Sequence, residues 1–351
     1  MISNEFYGHE VHGDYEHFAL GDYELENGGK LRNCNIAYTT AGKLNAKKDN
    51  AILFPHMYSG SSMHMKAFYV APGMALDPDK YFIILPNMIG NGLSTSAHNS
   101  GIPFNGGRFP DTTIGDDVRA QQRLVVEKFG IDQLQLVLGW SMGAQQTYEW
   151  AVRFPDMVKR AAPVAGTARC TPHDLLFTNV VSDAIRSDPA WNGGFYSDAH
   201  ACHIGLRRHA RIFAMMGVCT EFFKQAAWKG AGCNSLEDFL VGFWENWFLP
   251  MDPNNLLHML SKWQRGDVAS HTGGDLAKAL GRIKAKTCVI AFEEDMFVPV
   301  RDCRQEQAMI AGSQLKIIPS LWGHFSMIGI APEDKKAIDD TLKALLAQQV
   351  N

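Results

Sequence analysis

With 351 residues, 46% of them hydrophobic and 20% charged, the chain has enough apolar matter to bury a large core without disulfides or a metal. That balance excludes disorder, collagen-like repeats and disulfide scaffolds. Thirty-three basic against 37 acidic residues leave a charge of −4 with no basic run, which excludes nucleic acid as the main partner.

The elements begin as β structure. Residues 18–25 alternate in polarity, Glu26-Asn27-Gly28-Gly29 is a turn signal, and 31–40 alternate again. Short unbroken apolar runs follow at 51–54, 81–85, 134–138, 161–164 and 288–292, the pattern of strands buried on both faces of a parallel sheet. Helical spacing fills 113–129 and 145–154, where Pro155 ends the second stretch. Strands alternating with helices predict an α/β fold with a mostly parallel central sheet flanked by helices.

From about residue 168 to 280 the texture changes to helix-like stretches at 174–185, 204–216, 236–248 and 253–264, rich in Trp and Met. This segment reads as an inserted helical cap, with core parts at 1–167 and 281–351. The strand-helix rhythm then resumes and closes on an amphipathic helix marked by Ile338, Leu342 and Leu345.

No apolar stretch approaches membrane length and the first residues lack a signal-type pattern, so no membrane association is expected. Seven scattered cysteines without a C-x-x-C pair predict a reduced, cytoplasmic protein. The 13 histidines show no zinc spacing, and neither a metal nor another cofactor is expected.

The chemical signal is Gly139-Trp140-Ser141-Met142-Gly143, a G-x-S-x-G placed between the 134–138 run and a helix. Such a turn needs small neighbours and exposes the serine at a helix N-terminus, whose N–H groups favour a developing oxyanion. Ser141 is therefore the expected nucleophile. A serine hydroxyl needs a base and an orienting acid, which in this arrangement follow later in the chain as acid, then histidine. His324 is the only histidine after the 288–292 run, so it is the expected base. Asp295 is preferred as the acid, with Glu294 as the alternative. A second oxyanion N–H is expected in His56-Met57-Tyr58-Ser59-Gly60, from Met57 or Tyr58 with Tyr58 favoured, to pair with Met142.

Taken together, these residues resemble the α/β-hydrolase superfamily and, within it, the homoserine O-acetyltransferase-like group. The likeness runs through Ala37-Tyr38-Thr39-Thr40-Ala41-Gly42, the His56 to Gly60 loop, Asn87 to Ser94 and Ser141-Met142-Gly143-Ala144-Gln145-Gln146, covering almost the whole chain. It implies an α/β-hydrolase fold, an acyl-enzyme on the serine, and a homodimer formed through cap helices.

In true transferases a homoserine hydroxyl takes the acetyl group. Here the group's G-H-D reads Gly323-His324-Phe325, and its tyrosine-arginine pair in the cap reads Val218-Cys219. The Ala210-Arg211 pair is kept, so Arg211 is a candidate substrate contact, or else a partner of a cap carboxylate. Losing buried charge partners disfavours a zwitterionic acceptor. The expectation is a serine carboxylic-ester hydrolase for short-chain, acetyl-type ester substrates, with Tyr58, Trp140, Met142 and Phe325 bounding an apolar pocket. The alternative is an acetyl-CoA-dependent O-acyltransferase, and a catalytically silent ligand receptor is the third reading.

Overall fold

The alternating and unbroken runs become one eight-stranded sheet in the computed structural model, which describes residues 2–350. Its strands are β1 (Glu16–Glu24), β2 (Lys30–Ala41), β3 (Ala51–Leu53), β4 (Phe82–Pro86), β5 (Leu136–Trp140), β6 (Arg160–Val164), β7 (Lys286–Phe292) and β8 (Gln314–Ile318). They lie in the order β1-β2-β4-β3-β5-β6-β7-β8. β1 and β2 form an antiparallel hairpin, β2 is antiparallel to β4, and from β4 to β8 all pairs are parallel. β5 starts and ends two residues later than the apolar run suggests, so Gly139 and Trp140 are strand residues.

Period-two side chains divide each central strand between two layers. Ile52, Ile83, Leu136 and Leu138 pack with Met65 and Tyr69 of helix Ser62–Tyr69 and with Ile338, Leu342 and Leu345 of helix Pro332–Leu346. Leu53, Ile84 and Val137 face the other way, toward Val118 of helix Ile114–Arg123 and Trp150 of helix Met142–Arg153. β4, β5 and β6 are buried at every residue, as strands covered on both faces must be.

Between β6 and β7 the described residues form helices and turns, with no strand. Helix Pro172–Arg186 opens with Pro172 in its first turn and a reciprocal cap between Thr171 and Asp174. Helix Pro253–Gln264 opens on Asp252, whose side chain accepts the Asn255 N–H at 3.0 Å. Helix His203–Gly217 packs beside the first, and Leu236–Phe248 is helical throughout with a π-helical stretch at Phe239–Glu245. Lys262 drives from this segment into the interior, where its Nζ meets Asp117 Oδ2 and the Ile89 carbonyl, each at 2.5 Å. Both members of that pair are fully buried, and it joins the helical segment to the sheet's own helices. Among the described residues no helix is long and apolar enough to cross a membrane.

Candidate active site

Ser141 caps helix Met142–Arg153 directly after β5, with φ 59° and ψ −119°. A non-glycine residue in that region costs on the order of 1–3 kcal/mol, held in place by its surroundings. The flanking glycines are required by contact. A Cβ at Gly139 would stand 2.0 Å from the Gly143 carbonyl oxygen, and one at Gly143 would stand 2.7 Å from that of Pro55. Helix, strand end and the loop after β3 therefore touch through backbone alone, and the turn projects Ser141 off the sheet.

Asp295 follows β7 and His324 follows β8, so both arrive at the same carboxyl edge of the parallel strands as Ser141. Asp295 Oδ2 accepts from His324 Nδ1 at 2.8 Å. Its Oδ1 accepts the Phe297 and Val298 N–H groups, each at 2.8 Å, which fixes the carboxylate plane. Gly323 makes the approach possible, since a Cβ there would lie 3.0 Å from the Glu294 carbonyl oxygen. Glu293 and Glu294 point to solvent, so of the three adjacent carboxylates only Asp295 reaches the histidine. With Nδ1–H engaged, Nε2 of His324 is left as the basic nitrogen. Ser141 and His324 line one cavity, with no hydrogen bond yet joining them among the described residues; such contacts commonly tighten on substrate binding.

The loop after β3 is braced from beneath. His56 is fully buried, and burial pushes its imidazole down to about 3, so it is neutral. Its Nδ1–H donates to the Met57 carbonyl at 2.6 Å while Nε2 accepts the Met88 N–H at 2.9 Å. Gln146 of helix Met142–Arg153 donates to the His56 carbonyl at 3.2 Å. The N–H groups of Met57, Tyr58 and Met142 are left without an acceptor among the described residues. The Tyr58 ring is held from the helical segment, stacked on Phe213 at 5.4 Å with its hydroxyl donating to the Leu256 carbonyl at 3.2 Å.

Above Ser141 lies a cavity of about 30 Å³ walled mostly by aromatic rings. Trp140 and Phe325 line it as the sequence suggests, the Trp140 ring 5.6 Å from His324 and edge-on to Phe325 at 5.9 Å. Sequence reasoning did not single out Phe213, Phe243, Trp244, Trp247, Phe248, Trp263 or Phe297, which supply most of the wall. For those within the 168–280 segment the only signal was its general richness in such residues; Phe297, beyond it, gave none.

Three expectations are corrected. The Met142 side chain is buried and does not line the cavity. Arg211 does not face the cavity: its guanidinium, on a half-exposed side chain, pairs with Glu245 and Glu237, each at 2.8 Å. It thereby clamps helix His203–Gly217 to the Leu236–Phe248 helix, as the alternative reading had it. Val218 and Cys219 are buried behind the cavity and do not line it, so Phe325 alone of the altered positions meets the site.

The family described as alpha/beta hydrolase fold matches residues 50–329. An ethyl acetate hydrolase of Pseudomonas veronii is 50% identical over 98% of this chain and 99% of its own length. The solved structure of an acetylester hydrolase from Corynebacterium glutamicum superposes with a TM-score of 0.98 at 51% identity, covering 99% of this chain and 100% of that one. A more distant relative, homoserine O-acetyltransferase of Leifsonia xyli subsp. xyli, is 33% identical over 80% of this chain and 76% of its own length. The chain belongs to the alpha/beta hydrolase fold family, in the group that joins esterases to homoserine O-acetyltransferases.

Proposed function

We propose that the chain is a serine carboxylic-ester hydrolase for short-chain, acetyl-type esters. The observation that carries this reading is a Ser141, His324 and Asp295 constellation opening into a small cavity without Asp, Glu, Lys or Arg in its lining. Ser141 Oγ attacks the ester carbonyl as His324 Nε2 takes its proton, and Asp295 steadies the imidazolium. The N–H groups of Tyr58 and Met142 receive the charge that develops on the carbonyl oxygen. His324 returns its proton to the departing alcohol, and water then removes the acyl group by the same steps.

Cavity size sets the acyl limit. A dry cavity of about 150 Å³ admits benzene; about 30 Å³ of free space here, bordered by half-buried Ser59, Trp247 and Ile328, favours a small acyl group. Charge sets the acceptor. Homoserine would bring an ammonium and a carboxylate against Phe325, Trp244 and Phe243 with no partner for either. Each buried, unpaired charge costs several kcal/mol, on the order of 10³-fold or more in selectivity.

Initial rates with p-nitrophenyl acetate, beside coenzyme A release from acetyl-CoA plus homoserine, test the proposal. Ester turnover without homoserine-dependent release is expected. The reverse pattern would replace the esterase by a transferase. We also infer a homodimer through the helical segment, supported by exposed Leu175, Leu176 and Val180 on helix Pro172–Arg186 and Met215 on helix His203–Gly217. A monomer mass by light scattering counts against it.

A further inference from the structure

The cavity's lining divides by exposure. Tyr58, Phe213, Phe248, Trp263 and Phe297 are buried, which makes their side the closed base. Ser59, Phe243, Trp247, Phe325 and Ile328 are only half-buried, which makes theirs the mouth. The chemistry assigns the two ends to different halves of an ester. When the acyl carbon bonds to Ser141 Oγ, its bond to the alkoxy oxygen breaks and the alcohol leaves with the proton from His324. The acyl group stays, and water must then enter. An alcohol lodged at the closed base would be trapped behind the acyl-enzyme, so the alcohol arm occupies the mouth and the acyl arm the base.

Among the mouth side chains Trp247 differs in its contacts. Its indole N–H donates to Ser59 Oγ at 2.9 Å, so a residue of the helical segment holds the position next to Tyr58. Its ring lies on His64, centroids 4.6 Å apart and planes tilted by 41°. His64 is hydrogen-bonded at 3.1 Å to Ser61, and Ser61 at 3.1 Å to His12, which backs the same loop from the start of the chain. One side chain thus walls the exit and grips the loop that carries the proposed oxyanion donor.

We propose that Trp247 is the specificity-determining residue on the alcohol side of the site and, through Ser59, a positioning residue for the Tyr58 N–H. This rests on the esterase reading above. Two substrate pairs separate its parts: ethyl against benzyl acetate varies the alcohol, and ethyl acetate against ethyl butyrate varies the acyl group. Trp247→Ala opens the mouth and raises the benzyl-to-ethyl ratio of kcat/KM by about tenfold or more, with the acyl ratio held within about twofold. Trp247→Phe keeps a ring and removes the N–H, so kcat falls by about tenfold at similar KM, with selectivity little changed. Phe248→Ala at the base moves the acyl ratio instead.

An unchanged alcohol ratio in Trp247→Ala, or an acyl ratio that moves as far, overturns the specificity assignment. Wild-type kcat in Trp247→Phe overturns the positioning role. Should the alanine variant unfold, Trp247→Leu retains cover over His64 and carries the same comparison. Absence of ester turnover in the unaltered protein would instead sink the esterase reading, and is told apart because no ratio could then be measured.

Discussion

The turn around Ser141 and the helical segment between β6 and β7 contribute to one site by opposite means. At the turn, backbone meets backbone: Gly139 and Gly143 lack a Cβ because carbonyl oxygens occupy its place, and the strained Ser141 follows from that packing. In the helical segment, side chains do everything. Trp244, Trp247, Phe248 and Trp263 shape the cavity from helices whose backbones never approach Ser141 through a tight turn. A turn built on backbone sterics leaves a short, rigid motif. A cavity wall built on ring packing leaves only composition.

Substitutions at the sheet edge have the largest expected effects. Ser141→Ala should lower ester kcat by about 10⁴-fold or more with circular dichroism unchanged. Asp295→Asn should cost about 10³–10⁴-fold, because Nδ1 of His324 loses the acceptor that fixes its tautomer. Glu294→Gln, one residue away and exposed, should stay within about twofold. Equal losses at the two acids would break the claim that a single backbone-placed carboxylate serves the site.

The seam between the regions comes next. Burial outweighs the Lys262 charge and pushes the Asp117 carboxyl up to about 6. Lys262→Met leaves that carboxylate buried without its partner and should cost about 3–5 kcal/mol in urea unfolding. Adding Asp117→Leu should restore much of the loss.

Glu306 tests the point where the chain leaves β6. Its carboxylate accepts the Ala168 N–H at 2.7 Å, and burial pushes it up from 4.5 to about 8. The folded protein therefore binds a proton that the unfolded chain releases above about 4.5. Stability from this group is full below that pH and is lost as pH rises through 8. Glu306→Gln should flatten the decline and raise the melting temperature by a few degrees in the alkaline range. The smallest effect is expected at Arg211→Ala: under about 1 kcal/mol, with turnover within about twofold, since Arg207 also pairs with Glu245.

The sheet and the strand-turn-helix around Ser141 were legible because each depends on local pattern, whereas His324 was reached by elimination, as the only histidine after the 288–292 run. Unbroken apolar runs mark buried strands, although β5 runs two residues further than its Leu134 to Leu138 signal. Which of Asp295 and Glu294 meets His324 needed three dimensions, since Asp295 is buried and held by the Phe297 and Val298 N–H groups while Glu294 is exposed. Arg211 misled because a matching dipeptide does not reveal which way a helix turns its side chains, and here Glu245 captures it. Lys262 gave no signal at all. A lysine in an amphipathic stretch reads as solvated, and only the fold brings Asp117 beneath it.

The central claim is an acyl group carried on Ser141. Rapid acid quench during p-nitrophenyl acetate turnover, followed by peptide mass spectrometry, reads it directly. The account predicts one added acetyl group on the peptide containing Ser141, localised to that side chain and absent in Ser141→Ala. Steady ester turnover with Ser141 unmodified, or with the acetyl group on another residue, would contradict it.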